Sequence, residues 1–237
     1  MNLPDFNFES SLLPPNCRYL LGIDEVGRGP LAGPVTIGAF LLDLNSFNPA
    51  DFIKLGVRDS KLLSHQRRQQ IYQHFLKNKY IFKTFSASSK EIDKQGIAVC
   101  IYSLMNQSLK HFENQFDFCL IDGLPFAKND LRSNDFFEAS NVHRTLASEK
   151  KSLQGKHRYV VKGDAQCFSV AAASICAKVV RDEFMEKLDR EFPHYGFSQH
   201  KGYGTKKHLE AIARFGPSPH HRFSFKPISL FQGEYPR

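Results

Sequence analysis

A chain of 237 residues is long enough for one substantial domain with a buried core. Its 32 Lys and Arg outnumber 24 Asp and Glu by eight, which favours polyanionic partners through phosphate contacts. No apolar stretch approaches the ~20 residues of a bilayer span, and the start, with Asn7, Glu9 and Ser10, is unlike a secretory signal, so membrane insertion and export are not expected. Cys17, Cys100, Cys119, Cys167 and Cys176 include no CxxC pair, which points to a reduced cytoplasm rather than a disulfide framework.

Residues 1–16 read as an N-terminal extension containing Pro14-Pro15. Residues 18–23 and 35–42 read as strands joined by a glycine-rich turn, which predicts an antiparallel start to a sheet. Ser64 is placed to cap a helix running through Lys77, and residues 80–86 alternate as a third strand. Residues 97–112 carry Val99, Tyr102, Leu104, Leu109 and Phe112 mostly on one helical stripe, before a short apolar strand over 116–121 that ends in Asp122-Gly123. From 124 to 156 the pattern gives way to charge, Asn and Ser, with a short helix expected over 135–149, and this stretch reads as an insertion. Residues 157–161 form a further strand leading into Lys162-Gly163-Asp164. The clearest helix covers 166–192, where Val170, Ala173, Ala177, Val180, Phe184 and Leu188 recur at helical spacing and Ala171, Ala172 and Ser174 permit close approach to a sheet. Thr205 caps one more helix through Ile212, which Gly216-Pro217 stops. The sum is an α/β domain with a mixed sheet flanked by helices over 17–192, followed by a C-terminal helical extension over 193–237.

The chemistry concentrates at strand ends. Ile23-Asp24, Ile121-Asp122 and Gly163-Asp164 each place an acid near a glycine at the end of a strand, and Glu25 follows Asp24 directly. Carried on neighbouring strands, these acids converge on one rim. Hard divalent cations take such oxygen ligands, and two ions roughly 4 Å apart activate water and stabilise the leaving oxygen of a phosphodiester. Adjacent residues of a regular strand point to opposite faces, so Asp24 and Glu25 share one ion only if the strand ends or twists there. Asp182 competes with Asp164 for the fourth place. On a straight helix from Gln166 it lies about 24 Å along, too far for one site to use both. Lys178 four residues earlier gives Asp182 an ordinary helix-surface or subunit-packing reading, so Asp164 ranks higher.

Gly27 and Gly29 allow close backbone approach to a ligand, and Arg28 supplies charge for a neighbouring phosphate. Ser60, Lys61, Lys162 and Lys201 are further candidates for phosphate contact. The glycine spacing does not match a dinucleotide fingerprint, the C-terminal histidines lack zinc-site spacing, and Ser174 reads as a packing residue in an alanine-rich helix.

The run from Ile23 to Pro34 resembles the signature of the ribonuclease HII family. Further segments resemble that family in its own order: Arg58-Asp59-Ser60-Lys61, Ile121-Asp122-Gly123, Lys162-Gly163-Asp164, residues 172–182, His200-Lys201-Gly202-Tyr203-Gly204-Thr205 and His221-Arg222-Phe223-Ser224-Phe225. The resemblance implies a ribonuclease H-like fold, a four-carboxylate site at Asp24, Glu25, Asp122 and Asp164, and Mg²⁺ or Mn²⁺. It also implies hydrolysis on the 5′ side of a ribonucleotide, in RNA/DNA hybrid or ribonucleotide-containing duplex DNA, leaving a 3′-hydroxyl and a 5′-phosphate. By the same likeness Gly27, Arg28, Gly29 and Tyr203 detect the ribose at an RNA–DNA junction. A sliding clamp is a partner by family analogy, with the C-terminal tail as its contact, and the protein is expected to be a monomer. Leu62 departs from the family where a second lysine is common, and the insertion lengthens the step from Asp122 to Asp164. Arg28 and the short extension distinguish the chain from the related ribonuclease HIII. Two readings compete: a hybrid nuclease without junction preference, and a catalytically silent nucleic-acid-binding module, against which the intact acids argue.

Overall fold

The computed structural model describes residues 3–125 and 155–231. Among them five strands form one mixed sheet: β1 Tyr19–Val26, β2 Val35–Asp43, β3 Ile81–Ala87, β4 Phe118–Asp122 and β5 His157–Val160, in the order β3-β2-β1-β4-β5. β1 and β2 make the antiparallel hairpin expected from the sequence, in register from Tyr19 opposite Asp43 to Val26 opposite Thr36. β4 lies parallel to β1, and β5 parallel to β4.

The helices are α1 Phe6–Ser11, α2 Pro49–Leu55, α3 His65–Lys77, α4 Ser89–Gln95, α5 Ile97–His111, α6 Gly163–Gln166, α7 Phe168–Glu191, α8 Phe197–His200 and α9 Lys206–Phe215. Strand alternation sends successive side chains to opposite layers. Leu20, Phe40 and Leu42 pack with Phe52, Ile71, Phe75 and the alanines of α7 on one face. Leu21, Ile23, Ile37 and Leu41 pack with Ile101, Leu104 and Leu109 of α5 on the other. The approach of α7 is close: a Cβ at Gly22 would lie 2.2 Å from the Ser169 carbonyl carbon, and one at Gly38 2.1 Å from the Ala173 oxygen. Both strands therefore need glycine there, and the small residues of α7 are the other half of that contact.

Ser64 and Thr205 cap α3 and α9 as expected, each accepting a backbone N–H three residues on. The capping box of Ser88 and Glu91 starts α4, which the hydrophobic pattern does not foretell. The helix expected over 166–192 is present as α7, starting two residues later: Cys167 is extended, at φ −120 and ψ 132, and separates α6 from α7. The exposed N–H groups at that new helix start are met by buried Glu9 of α1, whose carboxylate accepts from Phe168 N–H at 2.9 Å and Ser169 N–H at 3.0 Å. Asp164 thus stands on α6, ahead of α7, and Asp182 lies about 21 Å along α7 from Phe168, in keeping with the separation expected from the sequence.

Beyond Glu191 the chain folds back. Tyr195, Phe197, Ile212 and Ile228 form a third cluster with Met185 and Leu188 of α7 and with Leu31 and Ala32 of the loop after β1. The short helix expected over 135–149 and the tail beyond Phe231, with Tyr235, lie outside the described residues. Among the described residues no helix is long and apolar enough to cross a membrane. All five cysteines are free.

Candidate active site

The register of β4 against β1 runs from Leu20 beside Phe118 to Ile23 beside Ile121, so the next residues, Asp24 and Asp122, stand side by side where β4 stops. Asp24 shares the α7 face with Leu20 and Gly22, and Glu25 falls on the opposite face. Oxygen atoms of Asp24, Glu25 and Asp122 nonetheless all lie within 4.8 Å of one another. Of the two routes the sequence left open, a strand end or a twist, the first does not apply, because the strand continues to Val26. What permits the meeting is that β4 ends at Asp122, leaving the rim open, and that glutamate's extra methylene carries its carboxylate back across the edge.

The neighbours fix these acids. Asp24 is 4% exposed and accepts a hydrogen bond from Glu25 N–H at 2.8 Å. It also accepts from the Ser174 hydroxyl. Ser174 Oγ lies 2.9 Å from Ser60 Oγ, and either hydroxyl can be the donor. The Ser60 hydroxyl, a candidate for phosphate contact, is buried and turned toward Ser174 in this structure. Asp122 Oδ1 accepts Gly163 N–H at 2.7 Å, tying β4 to α6. Asp164, on α6, stands outside the close trio and pairs with Lys61 Nζ at 3.5 Å.

Burial and mutual repulsion raise the pKa values of Asp24, Glu25 and Asp164. Asp24 lies well above the usual carboxylate range because of burial, then Asp122 and Glu25. Glu25 is pushed up to about 7 by burial and Asp122, against which Arg28, 3.9 Å away, offsets only part. Asp164 is also raised, by burial and Asp122.

The other expected contact residues divide. Gly27 takes φ +94, and a Cβ there would strike the Arg181 side chain. A Cβ on Gly29 would lie 4.0 Å from Tyr203 Cε1, so the half-exposed tyrosine stands over the glycine loop. Arg28 and Lys61 reach solvent. Lys162 is exposed at a left-handed turn before α6. Lys201 is not a free cation: its ammonium binds Glu186 at 2.6 Å beside a cleft of about 450 Å³ that also borders Tyr203. Asp182 is not on a helix surface either. It is 1% exposed and held by Lys178 at 2.6 Å and Arg68 at 3.3 Å.

A family model described as Ribonuclease HII matches residues 21–228. The chain belongs to the ribonuclease HII family. It is 38% identical to Ribonuclease HII of Magnetococcus marinus over 229 residues, covering 95% of this chain and 93% of that one. Among solved structures it is similar to RNase HII from Archaeoglobus fulgidus, described in complex with PCNA, at TM-score 0.65 and 24% identity, covering 87% of this chain and 95% of that one. It is also similar to Bst-RNase HIII in complex with Mn²⁺, at TM-score 0.63 and 19% identity, covering 89% and 68%. Those two likenesses support the ribonuclease H-like fold. As a member of the ribonuclease HII family the chain is an endoribonuclease, a hydrolase with ribonuclease H activity.

Two arginines that sequence reasoning passed over build the ribonuclease HII loop. Arg222, fully buried, donates from Nη2 to Gly27 O at 2.6 Å, from Nη1 to Arg28 O at 3.0 Å and from Nε to Gly33 O at 3.0 Å. Arg181 donates to Pro34 O, Ala32 O and Lys201 O. In a trans peptide the N–H opposes the C=O. With the Gly27 and Arg28 carbonyls turned to Arg222, the N–H groups of Arg28 and Gly29 point away from it. Burial and Arg181 pull the Arg222 guanidinium down to about 9, so it stays cationic at neutral pH. The available signal was an arginine at position 181 inside an otherwise apolar helical face; nothing local marked Arg222 as a loop holder.

Proposed function

We propose that this endonuclease hydrolyses the phosphodiester on the 5′ side of a ribonucleotide, in RNA/DNA hybrids and at single ribonucleotides in duplex DNA, leaving a 3′-hydroxyl and a 5′-phosphate. The observation that carries the reading is the meeting of Asp24, Glu25 and Asp122 within 4.8 Å beside a glycine loop over which Tyr203 stands. Three carboxylates this close, with raised pKa values at Asp24 and Glu25, form a hard-oxygen donor set that suits Mg²⁺ or Mn²⁺. Asp24, Glu25 and Asp122 would hold the ion, with Asp164 at the edge of the set. Such an ion, when bound, neutralises charge on the scissile phosphate and lowers the pKa of the attacking water.

The chain's own residues do the rest. Lys61 and Arg28, both at the rim and exposed, turn to the phosphates flanking the cut, and Lys162 takes a further phosphate. Water attacks phosphorus, the bond to the 3′ oxygen of the preceding nucleotide breaks, and the proton ends on that oxygen. The outward N–H groups of the loop bond the 2′-hydroxyl, and Tyr203 packs on the sugar that carries it. Deoxyribose offers no partner to those N–H groups, and this mismatch is the source of selectivity.

The protein works as a monomer in the cytoplasm, a setting in keeping with its free thiols. A sliding clamp is its protein partner. The clamp reading is supported by the PCNA complex of the Archaeoglobus fulgidus relative and by Leu230, 76% exposed where the tail leaves the core.

The test is cleavage of three end-labelled duplexes, one with a single ribonucleotide, one all DNA and one RNA/DNA hybrid, with Mg²⁺, Mn²⁺ or EDTA. Incision 5′ to the lone ribonucleotide, absent from all-DNA duplex and with EDTA, is the expected result. Cutting of the hybrid alone would replace this reading with a nuclease lacking junction preference.

A further inference from the structure

Two fully buried histidines lie behind Tyr203, and every polar atom on their rings is engaged. His221 Nδ1 faces Ser218 N–H at 2.8 Å and the Ser218 hydroxyl at 2.9 Å. Its Nε2 lies 3.0 Å from His208 Nε2, and His208 Nδ1 lies 2.9 Å from the Tyr203 carbonyl oxygen. The two ends of this chain have fixed polarity, because a backbone N–H only donates and a carbonyl only accepts. His221 Nδ1 must therefore accept, which puts its proton on Nε2. That proton is donated to His208 Nε2, and the His208 proton sits on Nδ1 and goes to Tyr203 O. Two rings carry two protons in one tautomeric arrangement. A third proton would set N–H against N–H, either between the rings or against Ser218 N–H.

The surroundings favour that neutral state. His208 is driven down to about 4 by burial and His200, and His221 to about 3 by burial and His208, with His220 and His200 adding to the effect. His200 stacks on His208 at 4.2 Å, and the rings of Tyr195 and Phe197 close around the pair. His200 itself accepts Gly202 N–H at Nδ1, 3.2 Å away, so imidazoles hold the Lys201–Gly202 peptide just ahead of Tyr203 and the Tyr203–Gly204 peptide after it.

We infer that His208 and His221 are positioning residues for ribose selection: a neutral imidazole relay from Ser218 to the Tyr203 carbonyl holds the tyrosine over the glycine loop. The inference rests on the ribose-sensing reading of Tyr203 given above. His221 adjoins Arg222, so one short segment holds both elements of the sensor, Tyr203 through the relay and the Gly27-Arg28-Gly29 loop through the guanidinium.

The test combines three measurements on the full chain. Imidazole ¹⁵N spectra of the wild type should show His208 protonated at Nδ1 and His221 at Nε2, with neither titrating between about pH 5 and 8. Amide hydrogen exchange at Gly204, whose N–H shares the Tyr203 peptide, should speed up in His208→Ala and return toward wild type in His208→Asn, since the asparagine amide replaces the Nδ1 donor. The preference for single-ribonucleotide duplex over all-DNA duplex in binding should fall about tenfold in His208→Ala, the scale of one lost hydrogen bond, with all-DNA affinity unchanged. It should recover in His208→Asn and fall no further when His208→Ala is combined with Tyr203→Ala. Opposite tautomers, unchanged Gly204 exchange, or losses that multiply in the double variant would overturn the relay. If Tyr203→Ala alone keeps the full preference, the ribose-sensing reading fails, while the spectra and Gly204 exchange still decide whether the relay holds the tyrosine.

Discussion

Asp24, facing α7, and Asp182, on α7, are both almost completely buried aspartates, yet their surroundings are opposite in sign. Asp24 sits among Glu25, Asp122 and Asp164, and among the described residues its hydrogen-bond partners are a serine hydroxyl and a backbone N–H. Asp182 is clamped between Lys178 and Arg68. Burying a charge is costly unless it is paired. The chain supplies the pair for Asp182, whereas burial and neighbouring acids raise the pKa of Asp24. The comparison also separates two sequence candidates that composition could not, since Asp182 has its charge met internally whereas Asp164 faces the acid rim with Lys61.

Breaking each cluster should give different signatures. Asp122→Asn should lower cleavage by on the order of 10³-fold or more, the scale of several kcal/mol of lost metal-ion stabilisation, without weakening duplex binding comparably. Single-turnover cleavage beside a binding titration checks it, and retained cleavage would remove Asp122 from the site. Asp182→Ala should act on stability instead, costing about 3–5 kcal/mol because it strands two buried cations, and the folded fraction should keep its cleavage rate. Urea unfolding with activity corrected for folded protein reads both quantities. A loss of rate without loss of stability would return Asp182 to the catalytic set.

The smallest effect concerns pH. Glu25 titrates near 7 in the native protein against a reference near 4.5, so between those values the folded state binds more protons than the unfolded one. Metal-free protein should therefore lose stability as pH rises through that window, by a Tm change of about 2–4 °C for each kcal/mol. Glu25→Gln should flatten the slope, and added Mg²⁺ should restore Tm most at the alkaline end. A melting series with and without EDTA checks the sign; a Tm that rises across the window would contradict the repulsion assigned to the acid rim.

Much of this was legible in the chain. The hairpin of β1 and β2, the capped helices α3 and α9, the alanine face of α7 and Asp122 at the end of β4 follow from periodicity, capping residues and turn glycines, which act over a few neighbouring residues, whereas Asp24 lies inside β1 and Asp164 on α6. Other features depend on partners far apart in sequence. Cys167 reads as helical by pattern, but Glu9, some 160 positions away, meets the helix start that follows its extended turn. Ser60 reads as a phosphate donor, and only its contact with Ser174 turns it inward.

By itself, then, the sequence determined the layers, the family and the acids, because those rest on local pattern and on ordered motifs. The tertiary structure alone decided that Glu25 reaches the rim shared by Asp24 and Asp122, that Asp182 is internally neutralised, and that Arg222, His221 and His208 hold the glycine loop and Tyr203 from behind. The physical reason is that a buried charge or hydrogen bond is defined by what the fold sets against it, and those partners lie up to 195 positions apart along the chain.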